Sequence, residues 1–307
     1  MTRFEGLIAA QFAPFHPDGR LNLAAIEPYV ERLVADGLTG VFVNGSNGEG
    51  PNLTVQERIE VAAAFKAAAG HQIAVIVHVG HASIAEARKL AAHAQQIGAD
   101  AISSVSAFYY KPTSVRLLVE SMAEIAVAAP ETPFYYYHIP GLTGVSLDMR
   151  QFLEQGRQAI PSLRGLKYTA PTLHEYQDCL TFAGDDFDVL YGTDEMLLPA
   201  LAVGARGAIG STYNFAAPIY QQVIDHFRAG RLAEAQARQA LLVRMVRVLL
   251  QYPPIPAQKA IMSRLGLNLG PCRLPLPDLS EEEAERFYAQ LTAIGFFEQL
   301  HLAPVVD

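Results

Sequence analysis

Eight short apolar runs, each followed by a segment of helical periodicity, constrain this chain more than any other feature. The runs occupy residues 6–12, 40–43, 73–77, 101–105, 134–137, 163–169, 188–191 and 207–211. Helical segments follow them at 24–35, 55–69, 83–97, 113–128, 147–155, 173–182, 195–203 and 218–228. In the first of these, Ile26, Tyr29, Val30, Leu33 and Val34 fall on one face. Thr54 with Glu57, and Ser83 with Glu86, stand at capping-box spacing. Continuous apolar strands alternating with helices predict a parallel sheet covered on its outer side. Eight units predict an α/β fold of the closed (β/α)8 TIM-barrel type rather than an open doubly wound sheet. No G-x-G-x-x-G follows the first run, which weakens a dinucleotide-binding reading further.

The strand signal stops at residue 230. Helices are expected at 232–250, 257–265 and 280–294, with Tyr252-Pro-Pro-Ile-Pro256 breaking the first from the second and Ser280 capping the last. The expected division is therefore a catalytic barrel over 1–229 and a C-terminal helical extension over 230–307. The length suits this: the chain has 307 residues, half of them hydrophobic, and a barrel of this type takes about 250.

Charge and cysteine usage exclude other classes. The net charge is −8 with no basic run or stripe, which argues against a nucleic-acid partner and requires any anion site to be local. Cys179 and Cys272 lie far apart, no apolar run approaches membrane-spanning length, and the first ten residues lack a leader-like pattern. A cytoplasmic protein with no membrane partner is expected.

In a barrel of this kind the chemistry sits at the C-terminal ends of the strands. The polar groups there are Asn44-Gly-Ser-Asn-Gly-Glu49, Tyr137-His-Ile-Pro140, Lys167 and Thr169, Tyr191-Gly-Thr-Asp-Glu195, and Gly210-Ser-Thr-Tyr-Asn214. Of five lysines, Lys66, Lys89, Lys111, Lys167 and Lys259, only Lys167 lies inside an apolar strand-like run. Burial disfavours an ammonium and frees the amine to attack a carbonyl. Alternation puts Lys167 and Thr169 on one strand face, with Leu166 and Tyr168 on the other. The residues alone leave two readings: an inward nucleophile, or a strand-end lysine reaching solvent. Tyr137 is a candidate proton shuttle sharing its face with Tyr135, or part of an aromatic core strand. The turn at 45–49 offers N–H groups and the Ser46 hydroxyl to a carboxylate, or is a plain structural turn. His78 and His81 lack a third ligand at recognisable spacing, so no metal is expected. No G-x-S-x-G elbow exists for a hydrolase triad.

Taken together, Gly45-Ser-Asn-Gly-Glu49, Tyr137-x-x-Pro140, Gly165-Leu-Lys167 and Gly207-Ala-Ile-Gly-Ser211 resemble, in order and separation, the class I aldolase superfamily of dihydrodipicolinate synthase and N-acetylneuraminate lyase. The likeness runs from Gly6 to about Pro275. Gly192-x-Asp194-Glu195, Gly210-Ser-Thr-Tyr-Asn214, Gln258-Lys-Ala-Ile-Met262 and Gly270-Pro-x-Arg-Leu-Pro-Leu276 are similar to the lyase branch. The synthase branch carries an arginine where this chain has Leu142.

The resemblance implies that Lys167 forms an imine with C2 of a keto acid. It implies that Tyr137 moves the proton, helped by Ser46 and by Tyr110 reaching in from a neighbouring subunit. Ser46 and Asn47 would hold the carboxylate, and Thr169, Gly192, Asp194, Glu195 and Ser211 the hydroxylated sugar chain. The implied reaction cleaves N-acetylneuraminate to pyruvate and N-acetylmannosamine without cofactor or metal, in a homotetramer. Lyases of this family usually carry Ser or Thr where this chain has Asn47, and position 193, here threonine, varies among them. Two alternatives stand beside this reading: another aldolase, dehydratase or hydratase-aldolase of the superfamily, or a non-catalytic barrel that binds a keto acid.

Overall fold

In the computed structural model, which describes residues 3–300, eight parallel strands pair in chain order and close into a barrel. They are β1 (Gly6–Ala10), β2 (Gly40–Val43), β3 (Ala74–His78), β4 (Ala101–Ser104), β5 (Phe134–His138), β6 (Leu163–Tyr168), β7 (Asp188–Tyr191) and β8 (Gly207–Gly210). Pairing of β1 with β8 leaves no open sheet edge. The helices are α1 (Ile26–Ala35), α2 (Val55–Ala69), α3 (Ile84–Gln96), α4 (Val115–Ala126), a short α5 (Pro140–Thr143), α6 (Met149–Ala159), α7 (Leu173–Ala183), α8 (Leu197–Ala202) and α9 (Tyr213–Arg228). Beyond them lie α10 (Leu232–Leu249), α11 (Pro254–Arg264), α12 (Glu281–Ala293) and α13 (Phe296–Leu300). Helix α10 turns back along α9, and α12 packs on α10 and α11 through buried Phe287 and Leu291.

Side-chain alternation splits the core into two layers, which is why the strands are apolar on both faces. Ile8, Ala10, Phe42, Ile76, Ala101, Tyr135, Tyr137, Leu190 and Ile209 fill the barrel interior. Val41, Val43, Val75, Val77, Tyr136, Leu166 and Tyr168 face the surrounding helices. The expected faces of β5 and β6 are thus observed. Tyr137, Lys167 and Leu190 are register partners across β5, β6 and β7.

Several local expectations need correction. Helix α9 begins at Tyr213, and Pro218 lies inside it. Proline is favoured at a helix start, but here burial of Tyr213, Asn214, Phe215, Ala216 and Ala217 carries the helix back to the strand end. Ser83 does not cap α3 with its side chain; its N–H donates instead to His81 Nδ1 at 2.9 Å. Asp148, not Leu147, opens α6, accepting from the Gln151 N–H. The second helix of the extension starts at Pro254 rather than 257, since proline in a first turn forfeits no helical hydrogen bond. The Thr54–Glu57 capping box and the Ser280 cap form as expected.

The N-terminal end of the barrel is closed by Asp188, 5 % exposed. Its Oδ2 accepts from the Phe4 N–H at 3.0 Å and the Tyr135 hydroxyl at 3.2 Å. Burial outweighs these bonds and pushes its carboxyl up to about 6. A carboxyl whose folded pKa is raised favours folding below its unfolded pKa, and that contribution is lost as pH rises through about 6. Asp188→Asn should therefore gain stability relative to the wild type between pH 4 and pH 7, by roughly 2 kcal/mol. Urea melts of both proteins at the two pH values check this, and a pH-independent difference would contradict it.

Candidate active site

At the opposite end, the segment after β2 folds into a ring over the barrel mouth. Asn44 (φ 61°) and Glu49 (φ 50°) both adopt left-handed backbone, an uncommon conformation for non-glycine residues that must be held by surroundings. Asn44 Nδ2 donates to the Arg58 carbonyl at 2.8 Å. Gly50 N–H bonds back to the Gly45 carbonyl at 3.0 Å and Glu49 N–H to that of Ser46 at 3.1 Å. A Cβ on Gly50 would overlap the Asn44 carbonyl, so the ring closes only with glycine there. The half-buried Ser46 and Asn47 line the cleft below.

Strands β2 and β6 are four positions apart in the ring of eight, so they face each other across the axis. The Lys167 side chain crosses that space. Its Nζ lies 4.0 Å from the Tyr137 ring centroid and 4.2 Å from that of Phe42. Among the described residues it has no hydrogen-bond partner. Burial pulls the amine down from its usual 10.5 to about 7, with the Asp194 carboxylate opposing. The two ring faces favour the cation by about 1–2 kcal/mol each, less than the roughly 5 kcal/mol that a shift of this size represents. Desolvation wins, and a large neutral fraction exists near pH 7. Burial also raises the Tyr137 phenol to about 12, although the Ser46 and Thr169 hydroxyls nearby favour its anion.

The ends of β7 and β8 supply the other wall. Asp194 Oδ2 accepts from the Thr212 N–H at 2.8 Å and the Thr212 hydroxyl at 2.7 Å. Thr212 Oγ1 also lies 2.8 Å from the Tyr220 hydroxyl. Burial pushes the Asp194 carboxyl up to about 6, with these bonds and Lys167 opposing. A Cβ on Gly210 would overlap that carboxylate, and one on Gly192 would overlap Thr169 Oγ1. Both glycines therefore admit polar groups to a space a side chain would fill. Glu195 and Ser211 complete this wall, half-buried.

The resulting cleft has a volume of about 290 Å³. It brings together Lys167, Tyr137, Ser46, Asn47, Thr169, Gly192, Asp194, Glu195 and Ser211, nine of the ten site residues expected from sequence. The tenth, Tyr110, is 86 % exposed on the segment after β4 and does not line the cleft of the single chain. Leu142 stands at the mouth, 68 % exposed, where it offers an anion no charge. Two buried polar atoms on the lining, Thr169 Oγ1 and Gln258 Oε1, have no hydrogen-bond partner among the described residues, and a hydroxylated ligand would satisfy them.

Sequence reasoning missed part of the lining. Thr212, Val246, Leu249, Leu250, Pro254 and Gln258 all face the cleft, and helical periodicity alone does not say which face of an extension helix meets it. It also treated Lys259 as an ordinary helical lysine, whereas that side chain is 4 % exposed. The two histidines serve local structure. His81 accepts the Ser83 N–H. His78 is buried against Arg58, whose guanidinium donates to the carbonyls of His78 and Gly80 at 2.6 and 2.8 Å. Burial first, then the nearby Arg58 and Lys167 charges, hold the His78 imidazole well below its usual range.

Comparison with known proteins agrees with this geometry. The sequence profile described as the Dihydrodipicolinate synthetase family matches residues 3–294. The N-acetylneuraminate lyase of Xenopus tropicalis is 44% identical over 278 residues, covering 89% of this chain and 91% of the relative. The solved N-acetylneuraminate lyase of Aliivibrio salmonicida superimposes with a TM-score of 0.94 at 39% identity, covering 96% of this chain and 98% of that one. That of Proteus mirabilis gives 0.93 at 37% identity, covering 96% and 100%.

The lowered Lys167 pKa has a direct readout. Reductive methylation by formaldehyde and cyanoborohydride needs the neutral amine, so labelling at Lys167 should rise with pH to half-maximum near 7. Asp194→Asn removes the charge that favours the ammonium and should lower that midpoint further. Peptide mass mapping across pH 5 to 10 measures both, and a wild-type midpoint above 9 would contradict the burial argument.

Proposed function

The chain belongs to the dihydrodipicolinate synthetase family, and on that premise we propose that it is a Schiff-base aldolase, a carbon–carbon lyase cleaving N-acetylneuraminate to pyruvate and N-acetylmannosamine. The observation that carries this reading is the Lys167 amine, buried without a hydrogen-bond partner among the described residues, across the barrel from the turn bearing Ser46 and Asn47, with its pKa drawn down to about 7.

In this reading the Ser46 hydroxyl and the Asn47 backbone hold the substrate carboxylate. Neutral Lys167 attacks C2 of the open-chain keto acid, and the carbinolamine loses water to give an iminium. Tyr137 moves the proton on the departing oxygen. It then accepts the proton of the C4 hydroxyl as the C3–C4 bond breaks. The electron pair of that bond passes into the iminium, leaving an enamine of pyruvate and a free aldehyde. Protonation at C3 and attack of water on the regenerated iminium release pyruvate and return the amine. The iminium is the electron sink, so the chemistry calls on neither metal nor organic cofactor. Thr169, Gly192, Asp194, Glu195 and Ser211 accept and donate hydrogen bonds along the polyhydroxylated chain. Asp194 is suited to this because Thr212 occupies one of its oxygens and leaves the other, Oδ1, without a donor among the described residues.

The same reading makes the enzyme a homotetramer in which Tyr110 of one subunit supports Tyr137 of its neighbour. Phe108, Tyr109 and Tyr110 are 42, 78 and 86 % exposed in one short segment, the kind of aromatic patch that subunit contacts cover. Cys179 and Cys272 are free thiols, as suits the reducing cytoplasm. No described helix is long and apolar enough to cross a membrane.

Incubation with pyruvate and borohydride should leave a reduced adduct on Lys167 alone, and Lys167→Ala should lose both adduct and turnover. An adduct on another lysine would refute the mechanism. Tyr137→Phe should still form the adduct while turnover falls by about 10²–10⁴-fold. Assayed on N-acetylneuraminate beside other sugar-derived keto acids, the wild type should prefer the former. Adduct formation with no cleavage of that substrate would assign the chain to another aldolase of the family, with Asn47 the first residue to examine.

A further inference from the structure

A charged cluster outside the cleft joins the C-terminal extension to the ring over the barrel mouth. Glu49, whose side chain is 0 % exposed, ends that ring in left-handed backbone. Its Oε2 accepts the Arg273 N–H at 2.9 Å, and its Oε1 lies 3.8 Å from Lys259 Nζ. Lys259, on α11, donates to the carbonyls of Ala13 at 3.0 Å and Pro271 at 2.6 Å. Its ammonium therefore ties together the segment after β1, the loop after α11 and the ring. Arg273 grips the far side. Its Nη1 and Nη2 reach Glu57 Oε2 at 2.9 Å and Oε1 at 2.5 Å, and its Nε donates to the Gly19 carbonyl at 2.9 Å. Glu57 is the residue that closes the capping box of α2 with Thr54. One loop of the extension thus holds the segment that carries Ser46 and Asn47 at two points on its C-terminal side, Glu49 and Glu57.

We propose that Glu49, Lys259 and Arg273 are positioning residues for keto-acid recognition: they fix the ring so that Ser46 and Asn47 meet the substrate carboxylate. None of the three touches the reacting atoms. The inference rests on the functional reading above and deepens it. The physical case is preorganisation. A left-handed glutamate relaxes toward ordinary backbone unless its side chain is anchored. The Glu49 anchor is a buried ion pair supported by backbone bonds on both partners, a geometry that holds only while each charge keeps the other. Loss of the anchor frees the ring while leaving β6, the Lys167 amine and Tyr137 in place. The expected signature is weaker capture of the keto acid with little change in imine chemistry once it is bound.

Borohydride trapping of pyruvate, followed as a function of pyruvate concentration, separates the two. In Glu49→Gln and Lys259→Met the half-saturating pyruvate concentration should rise about tenfold, with the maximal trapping rate within about twofold of wild type. Arg273→Lys keeps the charge but loses the planar fork to Glu57. It lies nearer the surface and supplies a folded variant if the buried ones do not accumulate, with a rise in the same direction. Half-saturation unchanged in folded variants, whether the maximal rate holds or falls, would overturn the proposal and leave the cluster a stability element. Absence of any wild-type adduct would instead sink the functional reading, and this inference with it.

Discussion

The structure is organised around one unfavourable act, the burial of an amine. Lys167 sits in the barrel interior with aromatic faces rather than hydrogen-bond acceptors around its Nζ. A cation in that position forfeits hydration that two rings do not replace, and the pKa falls accordingly. Asp194 is the nearby charge that favours the ammonium, and its restraint matters. Its carboxylate is turned to Thr212, which donates two hydrogen bonds to a single oxygen. Had that carboxylate bonded Lys167 instead, an ion pair would have restored the ordinary ammonium. Thr212, absent from the residues first expected to act, therefore helps keep the proposed nucleophile neutral by engaging one oxygen of that carboxylate.

The same strand shows how barrel position divides stability from chemistry. Asp188 begins β7 and Asp194 follows its end, and burial raises both carboxyls to about 6. At the N-terminal end Asp188 binds the incoming chain at Phe4 and the Tyr135 hydroxyl, contacts that close the core. At the C-terminal end Asp194 borders open space, because Gly210 and Gly192 withhold the side chains that would fill it. Equal perturbation does not mean equal role. What distinguishes the two carboxyls is whether room for a ligand lies beside them.

The barrel was legible in sequence because parallel strands buried on both faces must be apolar throughout, and eight such runs alternating with helices have few other ways to close. Side-chain alternation likewise set Lys167 opposite Leu166 and Tyr137 opposite Tyr136 across their strands, without saying which face is the interior. Local rules failed where burial overrode them. Pro218 was read as a helix start, but the buried residues before it carry α9 back to the strand. Ser83 was read as a capping side chain, but the His81 ring took its N–H. Lys259 looked like any helical lysine, because its burial comes from loops distant in sequence, around Ala13 and Pro271. The roles of the site residues were a different matter. They came from likeness to a family, since spacing alone left Lys167 and Tyr137 each with two readings, and Tyr110 does not line the cleft of its own chain.

The cleft is built from two sources with different latitude to change. In the proposed reaction the reacting groups come from strand ends, where a shift of one residue would turn a side chain through the sheet. Part of the wall beyond them comes from Val246, Leu249 and Leu250 on or beside α10 and from Pro254 and Gln258 on α11. A helix face tolerates substitution without moving its neighbours, so this wall can be reshaped while Lys167 stays buried to the same depth. Leu142 at the mouth is a further position of this kind, on α5 and largely exposed. On the proposed imine chemistry, such a barrel can therefore accept different partners for the keto acid by altering residues outside its register. The extension can vary in this way because its anchors, Lys259 and Arg273, are not among the residues that line the cleft.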